Sequence, residues 1–476
     1  MIKINKAEVR DKIFACWLGK NIGGTLAGPY EGRREMLNVT GFITKPGEPL
    51  PNDDLDLQMV WLKAMEDNGP NVVTPELLGE YWIDYIPPYW NEYGICKGNI
   101  QRGIIPPMSG EYHNSWKHSN GSFIRTEVWA TLFPGLVEEA IKFAYYDACV
   151  DHGRGEGTYA SIFVAALESA AFVISDIREL IKIGLSKIPE DSRFYKHIVA
   201  ACVAYDSGKT WQEARNIVTD MSLADPELGW FQAPANVAYA IIGLLYGEGD
   251  FKKTLLITTN CGDDTDCSCA TAGSILGIMH GQKIIPEDWK EYIGDKIISC
   301  SITAGSVGPL PKTCTEMSER VLAQHPVLLL GKNVQLVDGE TELPDEDREK
   351  FSGMDFVNEL NKHSPYGFTK EFNLTKFWID YDRAPEMKPG QSINLKLSIK
   401  KKLHSKRFYE CKFILPEGWT VTGDSMNFDV LSRPGIDERN YTITAGEKVE
   451  GTNRAVLQIT AIGRSEVALI PLIFLG

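Results

Sequence analysis

The sequence predicts a multidomain protein, in which a large all-α domain is followed by a small all-β sandwich. In the first two thirds of the chain, apolar residues recur with a period of about 3.6, as in buried helices. An acidic, polar segment without strong periodicity follows, and short alternating runs separated by turn signals come last. We therefore expect a helical domain at 1–325, a linker or connecting segment at 326–370 and a sandwich at 371–476.

The helical pattern is clearest at 158–185 and 233–247, where the residues are apolar and rich in alanine. Small side chains of this kind suit helices that pack closely inside a large bundle. The segment 337–353 is instead acidic and polar, which is typical of a connection. Beyond it, runs such as 392–401 and 467–475 alternate or carry β-branched residues, as the strands of an antiparallel sandwich do.

Composition excludes some classes of partner. The chain has 476 residues, of which 43% are hydrophobic and 24% charged, as in an ordinary globular protein. Lysine and arginine number 49 against 64 aspartate and glutamate residues, so the net charge is −15. Because no dense basic run offsets this charge, we expect neither a nucleic-acid backbone nor an anionic membrane as the main partner.

The cellular location is predicted from three further features. The first twenty residues carry charges around a short apolar run and read as an amphipathic helix, not as a signal peptide. No apolar run reaches the roughly 18 residues that a membrane span requires. The ten cysteines form no framework in a small domain, so we expect reduced and mostly buried thiols and a cytoplasmic protein. The sequence leaves the oligomeric state open.

Two acidic clusters, far apart in the chain, carry the strongest functional signal. They are Asn52, Asp53, Asp54 and Asp56 in the first cluster, and Asp263, Asp264 and Asp266 in the second. Each cluster leads directly into a segment that reads as a buried helix. Like charges repel, and burying them unpaired costs several kcal/mol. We therefore expect a positive charge beside them.

Helix capping is the structural alternative, since Asn and Asp accept backbone N–H bonds at helix N-termini. Capping explains one or two of these groups but not two clusters of several carboxylates. Hard divalent cations such as Mg²⁺, Mn²⁺ or Ca²⁺ take oxygen ligands of this kind. Neither cluster has the spacing of an EF-hand loop. A third polar element, the glycine-rich turn at 23–28, leads to Glu31.

Taken in chain order, these motifs resemble the ADP-ribosylglycohydrolase family. The matching positions are Gly23 to Gly28 with Glu31, Asn52-Asp53-Asp54, Asn120-Gly121 with Arg125, Asp151-His152, and Gly262 to Cys267 with the helix that continues to Gly281. The resemblance covers roughly residues 8–320, and the late motif is its most specific part. It implies an all-α orthogonal helical bundle with a metal centre at the floor of a cleft.

The resemblance also implies which residues act. Two Mg²⁺ ions, with Mn²⁺ as an alternative, would be held by Asn52, Asp53, Asp54, Asp264, Asp266 and Cys267. Glu31 matches the acid of the family's mobile early loop, and we expect Glu31 and Asp53 to be the catalytic residues. The expected reaction is hydrolysis of a glycosidic bond at a ribose, which passes through an oxocarbenium-like state that a carboxylate stabilises.

Two positions depart from the family pattern. Asn52 and Cys267 stand where the family has threonines that bind metal. An Asn carbonyl ligates hard cations, whereas a thiol is a poor partner for Mg²⁺. Asp56 also departs from the family. Of the three readings open for it, an extra metal ligand, a supporting acceptor or a charge on the helix surface, we favour the last two.

The predicted substrate-binding residues are Asn120, Gly121, Arg125, His152 and Trp230. The Asn-Gly pair precedes a helix, whose N-terminus suits a pyrophosphate, although the pair alone signals only a turn. The histidine stands among glycines that permit close approach of a ligand, but a lone histidine is more often structural. The tryptophan would stack on a base or sugar, or belong to the core.

We therefore predict a metal-dependent hydrolase for a small-molecule or ADP-ribosylated substrate. Two other functions stay open: a non-catalytic protein that binds ADP-ribose or a nucleotide through a degenerate metal site, and a divergent glycosidase or nucleosidase for another sugar conjugate. A third alternative assigns the main role to the sandwich, as a carbohydrate-associated or scaffold module. A cysteine-type zinc site is disfavoured, because no histidine pair accompanies Cys261, Cys267 and Cys269.

Overall fold

The computed structural model describes residues 1–303, 308–372, 375–402, 405–430 and 436–476. Helices fill the first part of the described chain. They are α1 (Lys6–Ala27), α2 (Asp53–Asn68), α3 (Pro75–Tyr85), α4 (Asn91–Gln101), α5 (Met108–Glu111), α6 (Glu127–Leu132), α7 (Val137–His152), α8 (Glu156–Ala171), α9 (Ile177–Leu185), α10 (Arg193–Asp206), α11 (Trp211–Leu223), α12 (Ala233–Gly247), α13 (Phe251–Asn260), α14 (Thr265–His280), α15 (Glu287–Ile293), α16 (Cys314–Leu328), α17 (Asp345–Arg348) and α18 (Asp355–Leu360).

Strands dominate the last part of the chain. They are β1 (Ile2–Asn5), β2 (Val334–Val337), β3 (Gly367–Phe372), β4 (Thr375–Tyr381), β5 (Ser392–Lys401), β6 (Arg407–Ile414), β7 (Thr420–Gly423), β8 (Asn427–Val430), β9 (Asp437–Thr444), β10 (Thr452–Ala461) and β11 (Val467–Leu475). From β3 onward they form two antiparallel sheets, ordered β3-β4-β5-β9-β7 and β11-β10-β6-β8.

The two sheets share one apolar core. Ile379 and Leu397 from the first sheet are buried in the same cluster as Leu457 and Ile470 from the second. Residues of this kind alternate with more exposed ones along β10 and along the first half of β5. This arrangement confirms the predicted fold class, a mostly helical domain followed by an all-β sandwich.

Helices α1 and α14 pack backbone to backbone at the centre of the helical domain. A Cβ atom added to Gly23 would lie 2.5 Å from the Cys269 carbonyl oxygen, and one added to Gly19 would lie 2.3 Å from the Gly273 carbonyl oxygen. Every residue of α1 from Ala15 to Ala27 is consequently buried. The amphipathic reading of the N-terminus is therefore wrong for the second half of this helix.

The segment predicted as a linker, 326–370, is largely folded onto the helical domain. Strand β2 pairs in parallel with β1 at the start of the chain. Val334, Phe351 and Val357 are buried in the core cluster of the helical domain. This packing could not be predicted from the sequence, because the few apolar residues of the segment are separated by many charged ones and show no period.

The sandwich packs against α5 and the residues on either side of it. Ile104, Met108 and Tyr112 are buried in the sandwich core cluster, and the Tyr112 hydroxyl donates to Glu386 over 2.7 Å. The two domains therefore contact each other through apolar side chains.

All ten cysteines are free; Cys300 is exposed, Cys202 is half-buried and the other eight are buried. Among the helices of the described ranges, we find none with the length and apolar character needed to cross a membrane.

Candidate metal centre and active site

The first acidic cluster lies at the start of α2. Asn52 is the N-cap, and its side-chain oxygen accepts the Asp54 backbone N–H over 2.8 Å. The Asp53 carboxylate accepts a hydrogen bond of 2.9 Å from the Tyr93 hydroxyl. Asp56 is fully buried and accepts the backbone N–H groups of Cys300 and Ser301 over 2.6 and 2.7 Å. Capping and loop anchoring thus account for Asn52 and Asp56.

The second acidic cluster lies at the start of α14. Asp264 precedes the helix, where its backbone N–H donates to the Asn236 side-chain oxygen over 3.1 Å. One Asp264 carboxylate oxygen accepts from the Asn120 amide over 2.8 Å. Asp266 follows in the first helical turn, where the helix dipole favours a negative charge. These contacts orient the Asp264 side chain and occupy only one of its two carboxylate oxygens.

The fold brings the two clusters and the Glu31 loop together. The ligand atoms of Asp54, Asp266 and Cys267 lie within 4.8 Å of one another, and so do those of Glu31, Asp264 and Asp266. Asp266 belongs to both groups. Glu31 is exposed whereas Asp54 has no exposed surface, so the site opens to solvent on the Glu31 side.

Three buried carboxylate oxygens in these groups have no hydrogen-bond donor among the residues that the structure describes. They are Oδ2 of Asp54, Oδ1 of Asp264 and Oδ1 of Asp266. A buried polar atom without a partner typically costs about 1–3 kcal/mol, and more for charged groups. Because Asp54 and Asp264 each share a group of close ligand atoms with Asp266, the donor set fits a divalent cation, which oxygen ligands of this kind hold.

Burial is the main cause of the raised pKa values of the carboxyl groups in this site. It raises the pKa of Asp264 to about 7 and places the pKa of Asp54 and of Asp266 well above the ordinary aspartate value of 3.8. The pKa of Glu31 is also raised, first by burial and then by the nearby Asp53 carboxylate. A bound cation would offset these effects and favour the ionised forms.

A buried lysine lies beneath the site. Lys20 of α1 has no exposed surface, and its ammonium group donates to Glu127 over 2.7 Å and lies 3.6 Å from Asp54. Glu127 also accepts from Gln58 and Ser274 over 2.9 Å each. The positive charge that the sequence led us to expect is thus partly supplied by the chain itself.

Asp263, the remaining acid of the second cluster, fixes the early loop. Its backbone pairs with that loop, since Gly32 N–H donates to the Asp263 carbonyl over 2.9 Å and Asp263 N–H donates to the Arg33 carbonyl over 2.8 Å. Its carboxylate accepts from Arg34 over 3.3 Å. Asp263 therefore holds the segment that carries Glu31 against the start of α14.

Residues 5–320 match the family model described as ADP-ribosylglycohydrolase. The chain belongs to the ADP-ribosylglycohydrolase family.

Individual relatives share only a low sequence identity with this chain. ADP-ribosylhydrolase ARH3 of Bos taurus is 22% identical in an alignment of 222 residues, and the match covers 40% of this chain and 57% of that protein. The chain thus spans a little over half the length of this curated relative.

Solved structures also match parts of the chain. One, described as an ADP-ribosylglycohydrolase-related protein complex, is 20% identical, covers 68% of this chain and 99% of that chain, and has a TM-score of 0.42. A FixG-related protein from Vibrio parahaemolyticus is 9% identical and covers 22% of this chain and 97% of that chain, with a TM-score of 0.19.

The ADP-ribosylglycohydrolase domain places the predicted substrate residues at different depths. Asn120 is buried and contacts Asp264 directly, and its own side-chain oxygen has no donor. Gly121 lies so close to the buried Glu92 that an added Cβ would be 2.1 Å from its carboxylate. This loop therefore borders the acidic site, and one of its polar atoms remains free to bind.

Arg125 is placed behind the site. It is fully buried, and its guanidinium group donates to Asp147 over 2.9 Å and to Asp151 over 2.8 Å. It also donates to the Gly121 carbonyl. Because these acceptors engage all three of its nitrogens, we assign Arg125 a positioning role for the Asn120-Gly121 loop in place of the predicted substrate contact.

His152 is buried beside the same ion pair. Its Nε2 lies 3.1 Å from the Ser119 hydroxyl, and its Nδ1 lies 2.8 Å from Asp151. Ligand atoms of Glu92, Asp151 and His152 also lie within 4.8 Å of one another. Asp151 is already paired with the Arg125 guanidinium, and this positive charge would repel a metal ion bound by these three residues. The histidine thus supports the loop at 119–121 from behind.

Trp230 lies on the side of the acidic site that opens to solvent. It is 44% exposed and stacks on Phe231, with ring centroids 4.8 Å apart and planes 2° from parallel. The Arg34 guanidinium carbon lies 5.8 Å from the Trp230 ring centroid. The core alternative for Trp230 is therefore excluded, and the half-exposed side chain lies next to the loop that carries Glu31.

The two departures from the family pattern have different consequences. The side-chain oxygen of Asn52 serves as the N-cap of α2, which weakens its case as a metal ligand. Cys267 is aimed at the site, because its Sγ lies 3.6 Å from Asp54 Oδ1. Burial, followed by the Asp264 carboxylate, places the pKa of this thiol well above its ordinary value.

Some contributors to the site carried no usable sequence signal. Lys20, Glu127 and Asn236 lie in three different helices. They are revealed only by the contacts of Lys20 and Asn236 with the two acidic clusters, and by the contact of Glu127 with Lys20. A lysine in an apolar helix and an asparagine after a proline are individually ordinary. Their role depends on tertiary contacts that spacing along the chain does not encode.

Proposed function

We propose that this chain is a metal-dependent hydrolase that cleaves a glycosidic bond at the ribose of ADP-ribose or a related ribosyl conjugate. Family membership supports the reaction class. The observation that carries the proposal is the convergence of the buried carboxylates of Asp54, Asp264 and Asp266, where Oδ1 of Asp264 and Oδ1 of Asp266 find no donor among the described residues. Three acids from two distant segments, buried at one place, are costly for stability and useful for binding a cation.

The cofactor that we propose is a pair of divalent ions of the Mg²⁺ or Mn²⁺ class. Asp53, Asp54, Asp264 and Asp266 are the residues that would hold them, with Glu31 beside them. When bound, such ions polarise oxygen atoms and orient vicinal hydroxyl groups of a substrate. The Asn120 amide and the Asn236 side chain hold Asp264 in one direction for this purpose.

Glu31 is the catalytic group that we propose for proton transfer. It is exposed to solvent, yet its ligand atoms lie within 4.8 Å of those of Asp264 and Asp266. A carboxylate with a raised pKa is a stronger base, so Glu31 is suited to take a proton from an attacking water. Its charge would also stabilise an oxocarbenium-like state at the anomeric carbon.

The substrate would enter between the Glu31 loop and the Trp230 side chain. The half-exposed Trp230 side chain offers a surface for a base or sugar, and the Asn120 side-chain oxygen, which has no donor among the described residues, lies near the acids. Arg125 and His152 would act through this loop without touching the substrate. We propose a small-molecule or ADP-ribosylated substrate and no nucleic-acid or membrane partner.

The direct test measures release of ADP-ribose from an ADP-ribosylated peptide with added Mg²⁺ or Mn²⁺. We expect turnover by the unaltered protein, loss of at least about a hundredfold in kcat with Glu31→Gln, and no change with Glu35→Gln. Glu35 is a matched control, because it lies four residues further along, is exposed and pairs with Arg33.

Two outcomes would overturn the proposal and point to the alternatives. Tight binding of ADP-ribose without turnover under any metal condition would indicate a non-catalytic binding protein. Turnover of other ribosyl conjugates, such as nucleosides, with none of ADP-ribosyl substrates would indicate a divergent glycosidase or nucleosidase. Deleting the sandwich is not informative here, because its core includes residues of the helical domain.

A further inference from the structure

The two groups of candidate metal ligands differ in their donor atoms. Glu31, Asp264 and Asp266 offer only oxygen, whereas Asp54, Asp266 and Cys267 include a sulfur atom. Hard cations such as Mg²⁺ prefer oxygen, and thiolates favour softer ions such as Zn²⁺. The two positions, joined through Asp266, are therefore chemically unequal.

We propose that Cys267 Sγ, with the Asp54 and Asp266 carboxylates, forms a metal position that takes a borderline-soft divalent ion of the Zn²⁺, Co²⁺ or Fe²⁺ class in preference to Mg²⁺. The neighbouring all-oxygen position takes a hard ion. This inference rests on the metal dependence proposed above and specifies the metal class of one of its two positions.

The position of Cys267 supports a ligand role. It lies in the first turn of α14, directly after Asp266, and its Sγ is 3.6 Å from Asp54 Oδ1. Cys269, two residues further along, contacts Thr259 and the Leu255 carbonyl instead. One of these two neighbouring thiols is thus directed at the carboxylates, and the other is engaged in the core.

The carboxylates provide the second, independent observation. Asp54 has no exposed surface and Asp266 is 9% exposed, and Oδ1 of Asp266 finds no donor among the described residues. One oxygen of each carboxylate and the Cys267 sulfur lie within 4.8 Å of one another and form a three-ligand group. Such a group leaves room for a water or substrate oxygen as a fourth ligand, as catalytic zinc sites do.

Charge balance is compatible with a thiolate at this position. A divalent ion together with the Lys20 ammonium would supply three positive charges against the four negative charges of Asp54, Asp266, Glu127 and the Cys267 thiolate, which leaves a net charge of only −1. On binding, the thiol S–H bond breaks, its sulfur lone pair forms the bond to the metal, and the proton passes to the buffer. No oxidant or reductant is required, because the oxidation states of sulfur and metal do not change.

Cobalt(II) is the probe that reports a thiolate ligand. Thiolate-to-Co²⁺ charge transfer absorbs strongly in the near ultraviolet, whereas oxygen ligands give only weak visible bands. We would titrate the metal-stripped full chain with Co²⁺ and record both regions. We expect a charge-transfer band in the unaltered protein and in Cys269→Ser, its loss in Cys267→Ser and Cys267→Thr, and displacement of the band by Zn²⁺ but not by Mg²⁺.

A second measurement separates this inference from the proposed function. By calorimetric titration, Cys267→Thr should bind Zn²⁺ at least about tenfold more weakly at this position while retaining Mg²⁺ binding, since a hydroxyl replaces the thiolate. Visible Co²⁺ bands without charge transfer, or a band that persists in Cys267→Ser, would overturn the thiolate site and leave the metal-dependent hydrolase standing. Failure of every ion to bind would overturn both.

Discussion

The ammonium group of Lys20 lies 3.6 Å from the Asp54 carboxylate, and neither side chain has any exposed surface. Lys20 reaches this place because α1 approaches α14 closely along a row of small residues. Its charge faces Asp54 on one side and Glu127 on the other. The metal-free protein therefore keeps one cation of its own beneath the acidic clusters.

Replacing Lys20 by methionine should destabilise the metal-free protein strongly. Removing one partner of a buried ion pair leaves an uncompensated charge and typically costs about 3–5 kcal/mol. Urea unfolding of Lys20→Met measures the loss. Lys253→Met is the control, because the pair of Lys253 and Glu248 is exposed and such pairs contribute about 0–1 kcal/mol. Equal losses in the two variants would contradict the role given to Lys20.

Gly23→Ala should separate α1 from α14 and disturb both halves of the site. The added Cβ would lie 2.5 Å from the Cys269 carbonyl oxygen, which belongs to backbone and has little freedom to move. We expect a loss of about 1–3 kcal/mol in unfolding free energy together with weaker metal binding. Gly98→Ala in α4 is the matched control. Its Cβ meets nothing within 4 Å, so it should stabilise by about 0.5–1 kcal/mol. Undiminished metal affinity in Gly23→Ala would count against this packing.

The stability of the metal-free protein should depend on pH through Asp264. Burial raises the pKa of Asp264 to about 7 from its ordinary 3.8. A folded state that holds its proton more tightly than the unfolded state gains stability below the unfolded pKa, and this gain is lost as pH rises through the folded pKa. The unfolding free energy of the unaltered protein, relative to Asp264→Asn, should therefore fall between about pH 4 and pH 7.

A saturating divalent cation should reverse this trend, because the cation binds the ionised carboxylate. Urea unfolding at several pH values, with and without Mg²⁺, checks both statements. Parallel pH profiles for the unaltered protein and Asp264→Asn in metal-free buffer would show that Asp264 does not titrate with a raised pKa.

Trp230→Ala should weaken substrate binding without affecting the fold. Stacking of a base on an aromatic ring contributes about 1–3 kcal/mol, so we expect KM to rise about tenfold or more while kcat stays nearly constant. Unfolding free energy should change by no more than about 0.5 kcal/mol, since the side chain is 44% exposed. Trp90→Ala, at a tryptophan that is 50% exposed, should leave KM unchanged. Equal effects of both substitutions would remove Trp230 from the binding surface.

The convergence of the acidic clusters could be predicted from the sequence, because several carboxylates before each of two buried helices lack a purely structural explanation. The family resemblance, which rests on the same residues, also anticipated the family and the fold class. Asp56 was harder to assign. Its burial excludes a charge on the helix surface, and its bonds to the backbone at 300–301 identify it as a supporting acceptor.

What the sequence could not predict depends on tertiary packing. The burial of Lys20 follows from the close approach of α1 and α14, and a lysine in a helical pattern is ordinarily assigned to the surface. Arg125 matched a motif position, yet its surroundings of Asp147 and Asp151 place it behind the site. The folded state of 326–370 arises from pairing of β2 with β1, more than 300 residues away.

The most direct test of the central claim is the number of divalent ions that the stripped chain binds at equilibrium. We would dialyse the unaltered protein and the double variant Asp264→Asn, Asp266→Asn against Mg²⁺ or Mn²⁺, with Glu287→Gln, Asp288→Asn as a control with exposed acids.

The account predicts bound metal in the unaltered and control proteins and none in the double variant. It also predicts stabilisation that rises with ion concentration, by about 2.7 kcal/mol at a hundred times the Kd. No binding by the unaltered protein at millimolar concentrations, or equal binding by the double variant, would contradict the assignment of these carboxylates as the metal centre.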